Sequence, residues 1–250
     1  MIISPSALWI VLSILQIVAA VLAGRSETTP RYFKAYLYFE AFSFPVAFVI
    51  HQYVGGMAYF YTFYAVAIVT DLLTFLLAYE IYYLVFGPRA ALPDLVPERA
   101  GALVAMAFSG AAALGVFIPP ILGGPLTRSM LLTEQIMTAG TWGTFFVLIS
   151  YSLILRINWP RRIAGITLGF VLYLTIDVFA VFVRARGGYQ LAAVAGEVGK
   201  TAYLLALVWW TCVLWRKESA PLPATSGEVA VMKHFHRQSM EALRRAGVLR

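Results

Sequence analysis

The sequence predicts an all-α protein, a polytopic transmembrane bundle of about seven helices with its N-terminus outside and its C-terminus cytoplasmic, and three observations predict it. Apolar residues fill 61% of the 250 positions and charged residues only 12%, where a soluble domain carries about 25% charged residues. Crossing ~30 Å of hydrocarbon takes ~20 helical residues, and apolar runs of about that length recur seven times between charged or Gly/Pro breaks. Lysine and arginine concentrate on alternate connections between those runs, as the topology of a membrane protein requires.

The first run, 5–24, follows Met1-Ile2-Ile3 with no positively charged n-region, so it reads as a retained helix and not as a cleaved signal. The second, 32–54, contains Pro45, which lacks a backbone donor and is expected to kink it. The third, 57–86, exceeds the hydrocarbon core in length and should tilt or project. Tyr59, Tyr61 and Tyr64 at one of its ends and Tyr79, Tyr82 and Tyr83 at the other form interfacial belts. In the fourth, 101–122, small residues recur at Ala107, Ala111 and Gly115. That spacing lets another helix approach closely, within the bundle or in a membrane-protein partner, and packing within the bundle is the preferred reading. Pro119 and Pro120 should break its far end. The fifth, sixth and seventh runs are 134–156, 162–184 and 194–215.

Residues 1–217 thus form a transmembrane domain and 218–250 a cytoplasmic linker and tail. The Pro/Ser-rich stretch from Ser219 to Gly227 is the linker. Beyond it Met232, Phe235, Ser239, Leu243 and Ala246 share a helical face apart from Lys233, Arg237, Arg244 and Arg245, a basic amphipathic segment suited to an anionic leaflet. Of 19 Lys and Arg residues, 15 fall on the side of the first, third and fifth connections and the tail; the other four are Arg128, Arg184, Arg186 and Lys200. The positive-inside tendency places the richer side in the cytoplasm of a multi-pass inner-membrane protein. The net charge of +7 therefore reports topology and implies no nucleic-acid partner.

An ionisable group inside a bilayer is costly unless paired or hydrated, so each one is a functional candidate. They are Glu40 in the second run, Asp71 and Glu80 in the third, Glu134 opening the fifth, Asp177 in the sixth, and Glu197 and Lys200 in the seventh. Asp71 sits near mid-membrane. Glu40 and Glu80 lie at similar depths on neighbouring helices, which would let them share a proton or a cation unless they face different ways. Asp177 and Lys200, at comparable depths, are the expected ion pair. Asp71, Glu134, Asp177 and Lys200 would line a cleft in the outer halves of the third, fifth, sixth and seventh helices.

Other chemistries find little support. His51 is the only histidine in the apolar region, so haem ligation inside the bundle has no second ligand. His234 and His236 point different ways on a helix, and Cys212 is the only cysteine, so no metal site is expected. A retinal Schiff base at Lys200 fits poorly, because Gly196 stands where an acid four residues earlier belongs. No Walker loop, His-Glu-x-x-His or Gly-x-Ser-x-Gly occurs, so neither an enzyme nor a cofactor is expected. No internal repeat of the kind found in many transporters is visible.

Ala78-Tyr79-Glu80-Ile81-Tyr82 with Phe86-Gly87-Pro88, Arg128-Ser129, and Asn158-Trp159-Pro160-Arg161 leading into Gly165-Ile166-Thr167-Leu168-Gly169-Phe170 together resemble an uncharacterised family of seven-helix bacterial integral membrane proteins. The resemblance supports the helix count, draws attention to Glu80, Arg128 and Gly169, and implies no activity. The leading expectation for function is a receptor-like or sensory module with a small-molecule ligand. The alternatives are a proton- or ion-coupled small-solute transporter using Asp71, Glu40 and Glu80, and an accessory subunit docking through the small-residue face of the fourth helix.

Overall fold

The computed structural model describes residues 5–86, 95–120, 125–154, 157–186 and 188–216. The connection holding Arg89 and the linker and amphipathic tail expected at 218–250 lie outside the described residues. Within them every element is helical: α1 Pro5–Gly24, α2 Arg31–Tyr53, α3 Gly56–Phe86, α4 Leu95–Phe117, α5 Pro125–Ile154, α6 Arg161–Arg186 and α7 Gly188–Trp215. Five of these, α2, α3, α5, α6 and α7, are long and apolar enough to cross a membrane, and α1 and α4 carry shorter apolar stretches. The protein is a multi-pass helical membrane protein.

Boundaries differ from the sequence expectation where charge was taken for a terminus. α5 starts at Pro125 and not at 134, because a charge inside a helix needs compensation and not an end; Glu134 finds it in Arg184. α7 starts at Gly188 and not at 194, with no charged residue between the two positions. α4 stops at Phe117, just before the two prolines, and the Ile118 N–H makes the last bond of that ladder to the Leu114 carbonyl at 2.8 Å. α2 runs unbroken through Pro45. Between α2 and α3 the chain reverses at Gly55, whose φ of +113° is closed to most side chains.

Six helices form a closed ring in the order α1, α2, α3, α5, α6, α7, with α7 returning to α1. α4 lies outside, packed on α5 and barely touching α3. Its small-residue stripe faces α5: a Cβ on Gly115 would stand 2.9 Å from Leu132, one on Gly143 would stand 3.3 Å from Ala107, and Ala111 is buried. The stripe is therefore covered within the bundle, in line with the preferred packing reading, and is not free for the accessory-subunit alternative. Away from that contact α4 exposes Met106, Leu114 and Phe117.

The outer surface is apolar, with Ile10, Phe42, Leu153, Phe179 and Leu205 exposed, while Gln16, Glu40, Gln135, Thr141 and Thr167 are buried between helices. Lipid accepts no hydrogen bonds, so polar groups turn inward or bond their own backbone. Thr74, Thr144 and Thr167 do the latter, each donating to the carbonyl four residues earlier at 2.8 Å.

Basic residues mark one end of the bundle, where buried Arg162 opens α6. Its guanidinium donates to Ser26 Oγ, to Thr28 Oγ1 at 2.6 Å and to the Arg216 carbonyl at 2.8 Å, tying the α1–α2 connection to the end of α7. Toward this end five large aromatic side chains, Phe33 and Tyr36 of α2, Phe145 of α5, Phe170 of α6 and Trp210 of α7, close the centre of the ring and are almost wholly buried. Phe145 stacks on Phe170 at 5.4 Å between centroids, and Phe170 meets Trp210 at 4.5 Å.

Among the described residues α6 and α7 share the most extensive interface, and two glycines explain it. Trp209 Nε1 donates to the Gly165 carbonyl at 2.8 Å and Trp210 Nε1 to the Ile166 carbonyl at 3.1 Å. A Cβ on Gly165 would stand 2.8 Å from Val213, and one on Gly169 would overlap the Trp210 indole and stand 2.9 Å from Trp209. Gly169→Ala should therefore lower stability by about 1–3 kcal/mol through overpacking. Gly110→Ala, where nothing lies within 4 Å, should leave it unchanged or raise it slightly; thermal unfolding in detergent measures both.

Candidate functional site

Acidic residues of two neighbouring ring helices converge on one arginine. Arg184, near the end of α6, places Nη2 3.1 Å from Glu134 Oε1 on α5 and 3.8 Å from Asp177 Oδ1, two turns back on its own helix. Asp71 of α3 lies within electrostatic range of both Asp177 and Glu134, and of Glu40 farther along the bundle. Two carboxylates thus meet one guanidinium, and a third, Asp71, stands within electrostatic range of both.

A cavity of ≈ 120 Å³ opens between α3 and α5 beside this group. Tyr64, Ala67, Ile68 and Asp71 line it from α3, and Ser129, Met130, Thr133, Glu134 and Met137 from α5. The register follows from helix geometry: residues three and four apart share a face, so Ala67 and Ile68 stand between Tyr64 and Asp71, and Thr133 and Glu134 between Met130 and Met137. Glu134 lies almost wholly inside, its side chain 9% exposed. Its Oε2 is buried and has no hydrogen-bond partner among the described residues, and the same holds for Arg184 Nε.

From Asp177 a chain of polar groups leads toward the basic end. Tyr173, one turn earlier on α6, lies within electrostatic range of the Asp177 carboxylate. Its ring lies 5.4 Å from that of Tyr203 on α7. Tyr203 lies within electrostatic range of Tyr36 of α2, and its hydroxyl accepts a hydrogen bond from Gln16 Nε2 of α1 at 3.2 Å. Glu40 is buried on α2, where Thr70 Oγ1 of α3 donates to its Oε1 at 2.5 Å.

Two expected site residues lie elsewhere. Glu80 does not share a site with Glu40: its Oε1 accepts the Arg31 N–H at 2.9 Å and its Oε2 the Tyr32 N–H at 2.8 Å. These are free donors of the first turn of α2, where Pro30 at the cap supplies no side-chain acceptor. Lys200 does not pair with Asp177. It bonds Glu197 at 2.7 Å, three residues earlier, and lies 5.9 Å from the Trp9 ring on the α1 side of α7. Asp177 meets α7 at Gly199, where a Cβ would stand 3.6 Å from its Oδ1. Lysine on the next residue faces another neighbour because successive helical positions diverge by ~100°. Lys200 therefore leaves the expected cleft, while Asp71, Glu134 and Asp177 come together.

Sequence reasoning missed Arg184, which it counted as a topological charge, and the tyrosines. A signal was available: Tyr173, Asp177 and Arg184 are spaced four and seven apart and share a helical face. Nothing local marks Gln16 or Tyr203.

Removing Arg184 strands two carboxylates. Arg184→Met should cost about 3 kcal/mol, and Arg184→Met combined with Glu134→Met should recover part of it, since the loss of a whole buried pair is far cheaper than the loss of one member and only Asp177 then stays unpaired. Glu80→Ala should cost ~1 kcal/mol as a lost helix cap, and Glu80→Gln less, because its amide oxygen still accepts one bond. A double-mutant cycle read by chemical unfolding in detergent tests the first pair, and the same assay ranks the Glu80 variants.

No family model matches the chain, so the resemblance carried by Glu80, Arg128 and Gly169 has no family model behind it, and comparison with curated proteins and with solved structures finds no match.

Proposed function

We propose that the protein is a receptor-like sensory module of a bacterial inner membrane, crossing it seven times with its N-terminus outside and its basic tail in the cytoplasm. The observation that carries this reading is a cavity with an unpartnered buried carboxylate, set between α3 and α5 and away from the end closed by Phe33, Tyr36, Phe145, Phe170 and Trp210. A pocket on one side of a ring whose other end is closed by packed aromatics suits binding and conformational readout better than passage. Charge supports the orientation: Arg25, Arg31, Arg161, Arg162 and Arg216 lie at the aromatic-closed end, the end a positive-inside topology places in the cytoplasm.

Glu40 favours one second reading. This buried carboxylate, bonded to Thr70 and within range of Asp71, is where a proton relay across the bundle would continue. The proton- or ion-coupled transporter reading depends on it.

Reconstitution separates the two. A sensory module should show ligand-dependent thermal stabilisation and no proton or solute flux in proteoliposomes, with Glu40→Gln leaving ligand affinity within about twofold of the parent. Flux abolished by Glu40→Gln or Asp71→Asn in protein that still folds would establish transport. Terminal tags should be reachable from outside at the N-terminus and from inside at the C-terminus.

A further inference from the structure

We propose that the cavity between α3 and α5 is a binding site for a small organic ammonium ion, held between Asp71 and Glu134. The proposal rests on the reading of the protein as a ligand-binding module and adds the chemical class of the ligand.

Glu134 spends one oxygen on Arg184 and keeps the other, Oε2, buried and unpartnered among the described residues on the wall of the cavity. An acceptor in that position is costly to leave empty. Asp71 lines the same cavity and forms no ion pair with a described cation. The missing partner must therefore donate hydrogen bonds and bring positive charge, and an anion would meet two carboxylates. A bare metal ion fits badly: among the described residues no three His, Cys, Asp or Glu side chains converge as ligands, and divalent ions want several oxygens at bonding distance.

The rest of the wall suits an alkyl substituent. Ala67, Ile68, Met130 and Met137 are apolar, and Met adapts to irregular shapes. Tyr64, Ser129 and Thr133 add hydroxyls at the margin. A volume of ≈ 120 Å³ is smaller than the ~150 Å³ cavity that accepts benzene, which limits the ligand to a few carbon atoms. An ammonium nitrogen has enough N–H groups to reach both carboxylates at once. Arg184 already holds the back of Glu134, so the bound cation would sit opposite the guanidinium with the carboxylate between them.

The test uses the full chain purified in detergent, with thermal unfolding followed against methyl-, ethyl- and propylammonium chloride at constant ionic strength. Matched primary alcohols and the chlorides of sodium and magnesium are the controls. The alkylammonium ions should raise Tm in a saturable manner and the controls should not. Asp71→Asn, which disturbs no ion pair with a described residue, should weaken ammonium binding at least about thirtyfold. Ala67→Phe, which fills the cavity and leaves both carboxylates, should abolish it, while Glu197→Gln on α7 should leave it unchanged. Equal stabilisation by the alcohols, full binding in Asp71→Asn, or no stabilisation by any ammonium ion overturns the proposal. If the alcohols alone stabilise, a ligand pocket remains but its cationic specificity falls. If the ammonium ions bind and also cross proteoliposome membranes, the ligand class stands and the sensory reading falls.

Discussion

Hydrocarbon on the outside leaves a polar side chain few places to go, and this constraint organises the whole protein. A hydroxyl can fold back on the carbonyl four residues earlier, as Thr74, Thr144 and Thr167 do. A carboxylate has no such local solution, because its own helix has already used its N–H donors. It must find a cation, a hydroxyl or a helix N-terminus on a neighbour. Glu134 takes the first of these, Glu40 the second and Glu80 the third. Each choice also fixes a helix pair: α5 to α6, α2 to α3, and the start of α2 to the end of α3.

These three carboxylates have equal formal charge and unlike roles, and the difference is the supply of donors. Glu80 meets two backbone N–H groups and is satisfied. Glu40 meets one short hydroxyl bond in a buried setting. Glu134 has one oxygen paired and one bare. Only an incompletely satisfied group has interaction energy to offer a ligand, which sets the cavity beside Glu134 and Asp71 apart from the settings of Glu40 and Glu80.

Much of the fold was legible in the sequence because lipid imposes length and polarity directly on the chain, and seven apolar runs became seven helices. Helix ends were less legible. A hydropathy scan treats Glu134 and Arg128 as exits from the membrane, whereas the helix continues when a distant residue, Arg184, neutralises one of them. The candidate site was half legible. Asp71, Glu134 and Asp177 stand out because buried acids are expensive, but their partners depend on which helices adjoin, and Lys200 was assigned to Asp177 on depth alone. The glycines show the same division: Gly165 and Gly169 are readable as small residues at close spacing, but that two tryptophans of α7 occupy the space they leave is a tertiary fact.

The seating of Trp209 and Trp210 on α6 has a mechanical meaning. Two helices locked by indole rings over glycine cannot slide or rotate independently, so α6 and α7 behave as a single strut. One end of that strut carries Arg184, and the other is clamped by Arg162 to the Arg216 carbonyl and to the short connection containing Ser26 and Thr28. A displacement of α6 at the clamped end would therefore carry α7 with it.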